Sequence, residues 1–240
     1  MKPKLYIQDS LAITYDADCV ESPAAELFDP GHWRSSQALV GEAAGRGSAW
    51  FIDAPFGPVV LRQYLRGGWV ANLTRQSYFF TTLSRSRPFR EFHVLAALHT
   101  SGLPVPRPVA ALCEHHGIVS TGSILTMRIP SARTLFELLP GGTDNPGLKN
   151  GFWESVGQCL RRFHNAGVWH ADLNLRNILV DADQEVFLID FYRARYTPHK
   201  AVDGKGNLAR LKRSFLKLWP GQDTDGLQPI WEQLLAGYNE

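Results

Sequence analysis

Cysteine is scarce in this 240-residue sequence, and the positions of the three that occur disfavour two common ways of stabilising a small fold. Cys19, Cys113 and Cys159 are far apart, and they form no CxxC pair and no Cys/His spacing of the kind that binds zinc. A disulfide framework and a structural zinc site are therefore not expected, and a reducing cytosol is the expected environment.

Long apolar runs are also missing, although 44% of the residues are hydrophobic, which is enough to build a core. No uninterrupted stretch approaches the roughly 18 apolar residues that cross a bilayer. The opening segment, MKPKLYIQDSLAITYD, lacks the apolar stretch and the small-residue cleavage site of a signal peptide. We therefore expect a cytoplasmic protein that is not integral to a membrane.

Excess charge is missing too, because 25 Lys and Arg residues are balanced by 23 Asp and Glu for a net charge of +2. Such a balance does not indicate a general polyanion binder, and we expect no nucleic-acid partner. The basic residues are nevertheless concentrated in two stretches, which either form a solvated face or meet phosphate groups. They are Arg62, Arg66, Arg75, Arg85, Arg87 and Arg90 in the first stretch, and Arg210, Lys212, Arg213 and Lys217 in the second.

The order of the apolar patterns predicts an α+β fold with two lobes. Residues 1 to about 37 are mixed in character and are interpreted as an adaptable leader or an edge strand. A sheet-rich lobe is expected to about residue 127, and an abbreviated helical lobe from about 128 to 240. The predicted elements are a hairpin over 45–65, a helix from Pro88 to Gly102, strands over 104–115 and 117–129, a short helix near 132–139, a helix over 151–168, and strands over 177–181 and 185–190.

The loop before the last two predicted strands carries the residues suited to chemistry. In HADLNLRN, Asp172 and Asn177 are five residues apart, and Asp190 comes thirteen residues later, at the end of an apolar strand and directly before Phe191. Phosphoryl transfer from ATP needs a carboxylate that orients the acceptor hydroxyl and accepts its proton, and oxygen ligands that hold Mg²⁺ against the phosphates. The pattern resembles the catalytic loop and metal-binding motif of the protein-kinase superfamily.

That resemblance implies a two-lobed protein-kinase-like fold, one domain over residues 1–240, that uses ATP and Mg²⁺. It implies that Asp172 is the catalytic base, that Asn177 and Asp190 are magnesium ligands, and that His170 is a packing residue that braces the loop. Kinases also cover the phosphates with a glycine-rich loop, because glycine lets backbone N–H groups approach an anion closely. The candidates are Gly45, Arg46, Gly47 and Ser48, for which a hairpin turn is an equally good interpretation.

The same resemblance requires a cation on the third strand that pairs with a glutamate on the following helix. Arg62 in VVLR takes the place of the usual lysine, and Glu91 in FREF lies on the predicted helix. Arginine can bind phosphate bidentately but reaches differently from lysine. The alternative for Glu91 is an exposed helix glutamate beside Arg87. Adenine is expected to contact the backbone between Leu125 and Arg128, including Met127.

Departures from the kinase pattern bear on the acceptor. Ala171 replaces the arginine that reads a phosphorylated activation loop in regulated protein kinases, and Tyr192 replaces the glycine after D-F. Only 50 residues follow Asp190, with no A-P-E motif, which is too few for a peptide-docking segment and a full set of helices. We therefore expect no protein substrate.

Further blocks resemble the bacterial kinase family that acts on 3-deoxy-D-manno-octulosonic acid (Kdo). They are LRQYLRGG, FREF, GLPVPRPVAA, RIPSARTL, HADLN followed by RNIL, and NLARLKRS, within about residues 40–220. This resemblance implies phosphorylation of Kdo, at its 4-hydroxyl, on the lipid A precursor of lipopolysaccharide. The implied partners are a lipid-linked anionic sugar acceptor and, through peripheral contact, the cytoplasmic face of the inner membrane.

A basic segment near the end suits such an acceptor. NLARLKRSFLKLW is predicted to be a helix with Asn207 as its N-cap. Its apolar stripe is expected to pack on the core, while some of its basic residues face the acceptor or the membrane. The stripe consists of Leu208, Leu211, Phe215 and Leu218, and the basic residues off it are Arg210, Lys212, Arg213 and Lys217.

Three other functions stay open at this point. A kinase for the heptose of the lipopolysaccharide core would share the catalytic residues and a membrane-bound acceptor. An aminoglycoside or choline kinase would need an acidic C-lobe for its cationic substrate, whereas this tail is basic. A pseudokinase that binds nucleotide as a scaffold is suggested by the missing third-strand lysine, but the presence of Asp172, Asn177 and Asp190 together argues against it.

Overall fold

The computed structural model of the protein describes residues 1–43, 49–64, 86–116, 119–140, 147–219 and 226–240. The chain divides into two compact units. Unit 1 contains Met1–Thr100 and Pro106–Arg128, and unit 2 contains Ser101–Val105 and Ile129–Glu240. Helices and strands are mixed, so the α+β prediction is confirmed, while the grouping of the units into one domain stays a prediction.

Unit 1 is built on a seven-stranded antiparallel sheet with the order β1-β2-β6-β7-β5-β4-β3. A short 3-10 helix, Ala25–Phe28, and two α-helices accompany the sheet, and the apolar face of α2 is buried. The strands are β1 Pro3–Gln8, β2 Leu11–Asp16, β3 Leu39–Ala43, β4 Ala49–Ala54, β5 Gly57–Gln63, β6 Pro108–His116 and β7 Val119–Met127; the helices are α1 Pro30–Ser35 and α2 Arg87–Thr100.

The N-terminal segment is an integral part of this sheet, so its interpretation as an adaptable leader is wrong, whereas β1 is an edge strand as predicted. Asp16, at the end of β2, is fully buried and accepts hydrogen bonds from Nε and Nη2 of Arg107, at 2.9 and 2.6 Å. Burial opposes ionisation, but these bonds and one from the Lys2 backbone hold the pKa of Asp16 below its usual range. The partner that fixes the segment is 91 residues away.

The other predicted elements of unit 1 are present. Strands β4 and β5 form the expected hairpin, with Phe51 opposite Val60. The helix expected from Pro88 is α2, and Gly102 after it has φ +70°, a conformation that glycine adopts readily. The glycine-rich candidates Gly45 to Ser48, and Arg66, Arg75 and Arg85 of the first basic stretch, lie outside the described residues.

Unit 2 contains four helices and two small sheets among its described residues. The capping box of Thr134 and Glu137 starts the short helix α3, where a short helix was predicted. The elements are β8 Arg133–Thr134, α3 Leu135–Leu138, α4 Phe152–Asn165, β9 Val168–Trp169, β10 Ile178–Val180, β11 Val186–Leu188, β12 Arg195–Tyr196, α5 Lys205–Leu218 and α6 Leu227–Asn239. The sheets have the orders β11-β10-β8 and β12-β9.

Helix α5 confirms the predicted helix but not its start. Gly204 is the N-cap, and Asn207 lies inside the first turn with its side chain fully buried, so the prediction of an Asn207 cap is wrong. Leu211 and Phe215 are buried as the apolar stripe requires. In the described parts of the chain, no helix is long and apolar enough to span a membrane.

Helices α4 and α6 are in direct backbone contact. A Cβ atom added at Gly157 would lie 2.0 Å from the carbonyl oxygen of Leu234, and one at Gly237 would lie 2.1 Å from that of Glu154. Two glycines, one on each helix, therefore set the distance between the helices.

We predict that Gly157→Ala lowers the free energy of unfolding by about 1–3 kcal/mol, because the backbones must separate to admit one methyl group. Gly206→Ala is the matched control, since its Cβ would meet only Trp169 Nε1, at 3.8 Å. In a helix that change is neutral or stabilises by up to about 1 kcal/mol. Urea denaturation measures both, and equal midpoints for the two variants would contradict the close packing.

Candidate active site

The loop that follows β9 is fixed by the buried ring of His170. Its Nδ1 accepts a hydrogen bond from the backbone N–H of Asp172, at 3.2 Å, so Nε2 carries the proton and donates to the carbonyl oxygen of Ile189, at 2.9 Å. Burial lowers the pKa of His170, which favours the neutral ring that this arrangement needs. His170 thus joins Asp172 to the residue before Asp190.

Asn177 closes the same arrangement from the other end of the loop. Its side-chain Nδ2 donates to the backbone carbonyl oxygen of Asp172, at 2.8 Å. The backbone carbonyl oxygen of Asn177 accepts a hydrogen bond from the backbone N–H of Ile189, at 3.1 Å. Hydrogen bonds therefore connect Asp172 and Asn177 to Ile189, the residue directly before Asp190; Asp172, Asn177 and Asp190 are the three residues predicted from the kinase-like spacing.

Asp190 lies two residues beyond Leu188, the last residue of β11, and not at the end of the strand as predicted. Its φ of +72° is in the left-handed region, which few residues other than glycine adopt and which aspartate tolerates better than most. Phe191 is fully buried, with its ring 5.0 Å from that of His170 and 5.9 Å from that of Phe163. The packed phenylalanine anchors the backbone that carries Asp190.

A buried polar chain supports the loop from behind. Asn207 brackets the backbone of His170, since Oδ1 accepts from its N–H at 3.0 Å and Nδ2 donates to its carbonyl at 2.6 Å. His164 Nε2 lies 3.0 Å from the same Oδ1 and must carry the proton, so His164 Nδ1 accepts from the hydroxyl of Tyr238, at 2.8 Å. Burial also lowers the pKa of His164, as its neutral state requires. Gly204 leaves room for this chain, because a Cβ there would lie 2.1 Å from the hydroxyl oxygen of Tyr238.

Sequence reasoning missed the partners in this chain. His164 and Tyr238 are 74 residues apart, and a buried histidine on an apolar helix face gives no signal of its role. Asn207 gave a misleading signal, because asparagine near a helix start is typical of an N-cap. Its position within the first turn frees the side chain to bind another segment.

The carboxylate of Asp172 is on the exposed side of the loop. Its side chain is 53% exposed, and Oδ1 lies 3.4 Å from Nη1 of Arg210, whose side chain is 44% exposed. A carboxylate that accepts a proton from a substrate must be accessible, and this one is.

In unit 1 the structure pairs Arg62 with Glu91 as the kinase resemblance implies. Glu91 is fully buried, so its interpretation as an exposed glutamate beside Arg87 is wrong. One carboxylate oxygen binds Arg62 Nη2, and the other accepts a hydrogen bond from the hydroxyl of Tyr64. The sequence analysis did not identify Tyr64. Its position two residues after Arg62 was an available signal, because side chains at i and i+2 along an extended chain point to the same side.

The predicted adenine-binding segment is at the end of β7. The backbone N–H of Met127 donates to the carbonyl of Arg107, at 2.8 Å, and that of Arg128 donates to the carbonyl of Pro58, at 2.9 Å. Both donors are thus engaged within unit 1, which argues against either of them as the adenine donor.

The residues of unit 2 fit a magnesium ion. The carboxylate of Asp190 and Oδ1 of Asn177 are hard oxygen donors, and the amide nitrogen of Asn177 is the end engaged with Asp172. Mg²⁺ in phosphoryl-transfer sites uses one or two such protein ligands and completes its shell with water and substrate phosphates.

Two features are typical of a kinase-like protein: an antiparallel sheet with an arginine paired to a buried glutamate, and a helical unit whose hydrogen bonds connect an exposed aspartate, an asparagine and the residue before a second aspartate. A solved structure titled "WaaP in complex with acyl carrier protein" is similar in fold, with a TM-score of 0.55 and 18% identity, over 89% of this chain and 84% of that one. The kinase-like fold predicted from the sequence is confirmed.

A profile of the lipopolysaccharide kinase (Kdo/WaaP) family matches residues 31–238, and the chain belongs to this family. It is 41% identical to the 3-deoxy-D-manno-octulosonic acid kinase of Stenotrophomonas maltophilia (strain R551-3), over 95% of this chain and 89% of the relative. It is 37% identical to the enzyme of that name from Vibrio vulnificus (strain YJ016), over 94% of each. The chain is therefore a kinase, a phosphotransferase with an alcohol acceptor.

Proposed function

We propose that this protein transfers the γ-phosphoryl group of ATP to a hydroxyl of Kdo on a lipid-linked precursor of lipopolysaccharide. The observation that carries the proposal is the set of hydrogen bonds that joins Asp172, Asn177 and Asp190 through His170 and Ile189. The relatives reported above are named for Kdo, which supports this acceptor over heptose. We place the phosphate on the 4-hydroxyl, by the family resemblance.

In this reaction Asp172 accepts the proton of the sugar hydroxyl while the hydroxyl oxygen forms its bond to the γ-phosphorus, and the bond to the β-phosphate oxygen breaks to release ADP. Asn177 and Asp190 would hold Mg²⁺, which would neutralise charge on the phosphates. The side chain of Asn177 is bonded to the Asp172 carbonyl, and its backbone carbonyl is bonded to the N–H of Ile189, so the residue is fixed to the segment that leads into Asp190.

Arg62 binds the nucleotide phosphates in this proposal. Its pairing with Glu91, which Tyr64 also holds, orients the guanidinium, and the planar fork of arginine suits phosphate oxygens. We assign the covering of the phosphates to Gly45, Arg46, Gly47 and Ser48. We assign to the segment around Met127 a contact with adenine that does not use the engaged N–H groups of Met127 and Arg128.

We predict that Asp172→Asn and Asp172→Ala lower kcat by about 10²–10⁴-fold, because the acceptor hydroxyl loses its base. Mass spectrometry of Kdo-bearing lipid A precursor after incubation with Mg-ATP measures the gain of one phosphate on the Kdo fragment. Asp183→Asn, an exposed aspartate of the β10–β11 turn, is the matched control and should retain activity.

An unmodified Kdo fragment with a wild-type protein that binds Mg-ATP would contradict the Kdo proposal. Phosphate on a heptose fragment in the same experiment would identify the heptose kinase instead. Nucleotide binding without turnover on either sugar would indicate the scaffold function.

We also propose that the outer face of α5 contacts the membrane that carries the acceptor. Two of the four basic residues predicted for this role have contacts within the protein. Arg210 pairs with Asp172, and the half-buried Lys212 lies over the Trp231 ring, 5.5 Å from its centroid. Arg213 and Lys217 are exposed, and Leu216 between them is 51% exposed. Cations flanking an exposed apolar side chain suit the surface of an anionic bilayer.

We predict that Arg213→Ala combined with Lys217→Ala weakens binding to anionic phospholipid vesicles by about tenfold or more, since each surface cation contributes about 1 kcal/mol. Cosedimentation measures the bound fraction. Arg162→Ala combined with Lys200→Ala removes the same charge from exposed positions of unit 2 that lie outside α5. Equal losses in the two double variants would show that net charge, and not this face, determines binding.

A further inference from the structure

Three residues on one face of α5 contact the catalytic loop at successive points. Asn207 binds the backbone of His170, Arg210 contacts the carboxylate of Asp172, and the hydroxyl of Ser214 accepts a hydrogen bond from the backbone N–H of Leu175, at 3.2 Å. The three helix residues are spaced i, i+3 and i+7, which places them on the same side of a helix. Arg210 is therefore held between two fixed points.

The loop itself does not supply this cation. Asn174, two residues after Asp172, donates from Nδ2 to the carbonyl of Asp172 at 2.8 Å and accepts from the N–H of Arg176 at 2.9 Å. The guanidinium of Arg176 lies over the ring of Phe136, 3.9 Å from its centroid. Among the described residues, Arg210 is the cation paired with the carboxylate of Asp172.

We propose that Arg210 is a positioning residue for phosphoryl transfer, which holds the Asp172 carboxylate in the orientation that receives the proton of the acceptor hydroxyl. The inference rests on the proposed function, because it takes Asp172 as the base. One oxygen of the carboxylate, Oδ1, lies beside Arg210 Nη1, and this contact directs the other oxygen toward the acceptor.

Stability does not explain this ion pair. Both side chains are about half exposed, and exposed pairs contribute little to the free energy of unfolding. Orientation of a reacting group affects rate far more strongly, because a carboxylate free to rotate spends little time in the productive geometry. Removing Arg210 should therefore leave the fold intact and slow the chemical step.

The role also separates Arg210 from the membrane face of α5. A membrane-binding arginine would affect the encounter with a lipid acceptor and would be seen in KM for that acceptor. A positioning arginine acts on kcat, whichever way the acceptor is presented.

The test compares Arg210→Ala, Arg210→Lys and Lys205→Ala, an exposed cation on the same helix, with a detergent-dispersed Kdo acceptor. We expect Arg210→Ala to lower kcat by about 10- to 100-fold with KM for ATP and for the acceptor changed less than about twofold. Arg210→Lys should recover most of the rate, and Lys205→Ala should match the wild type. In an Asp172→Asn background, Arg210→Ala should have an effect below about twofold, because its partner has already been lost.

An unchanged kcat, a loss confined to the acceptor KM, or equal fold losses in the wild-type and Asp172→Asn backgrounds would overturn the proposal. Slow ATP hydrolysis without sugar is measured in parallel, since water needs the same base. If wild-type protein hydrolyses ATP but does not phosphorylate Kdo, the acceptor assignment fails, and the hydrolysis rates of the variants still decide the role of Arg210.

Discussion

The two hydrogen bonds of the His170 ring determine where the other groups of the site can be. One bond holds the backbone at Asp172 and the other holds the carbonyl of Ile189, directly before Asp190. Both bonds use the ring nitrogens of a neutral imidazole, and burial, which lowers the pKa of His170, favours that uncharged state. Asn177 adds a second connection between the same segments. One buried side chain thus fixes the distance between the segment of the proposed base and the segment that leads into the proposed metal ligand Asp190.

Helix α5 connects the catalytic loop to the last helix of unit 2 through hydrogen bonds. Asn207 binds the backbone of His170 on both sides, and through His164 it connects to Tyr238 in the last turn of α6. The same helix presents Arg210 to Asp172. Buried polar groups are costly unless every donor and acceptor is satisfied, so this chain of bonds favours one arrangement of the loop. A helix whose inner side orders the site also exposes cations and an apolar side chain on its outer side.

The sequence predicted the local features well and the long-range ones poorly. The spacing of Asp172, Asn177 and Asp190 was informative because a loop and a hairpin, which are local structures, bring them together. Pairing of Arg62 with Glu91 followed only from the resemblance to kinases, since nothing in the local sequence shows which cation faces which carboxylate. An edge strand was one of the two interpretations of the N-terminal segment, but its ion pair was not predicted, because Arg107, the partner of Asp16, is remote in sequence. Asn207 was misassigned because the same residue type serves as a helix cap and as a backbone clamp.

The central claim is that the polar chain through Asn207 and His170 holds the catalytic loop as one unit. Residue-resolved hydrogen exchange tests it most directly, at the backbone N–H groups of His170, Asp172 and Ile189, in the wild type and in Asn207→Ala. The account predicts slow exchange at all three in the wild type and a joint loss of protection in the variant, while the β5 amides stay protected. Rapid exchange at His170 in the wild type, or unchanged protection of Asp172 and Ile189 in the variant, would contradict it.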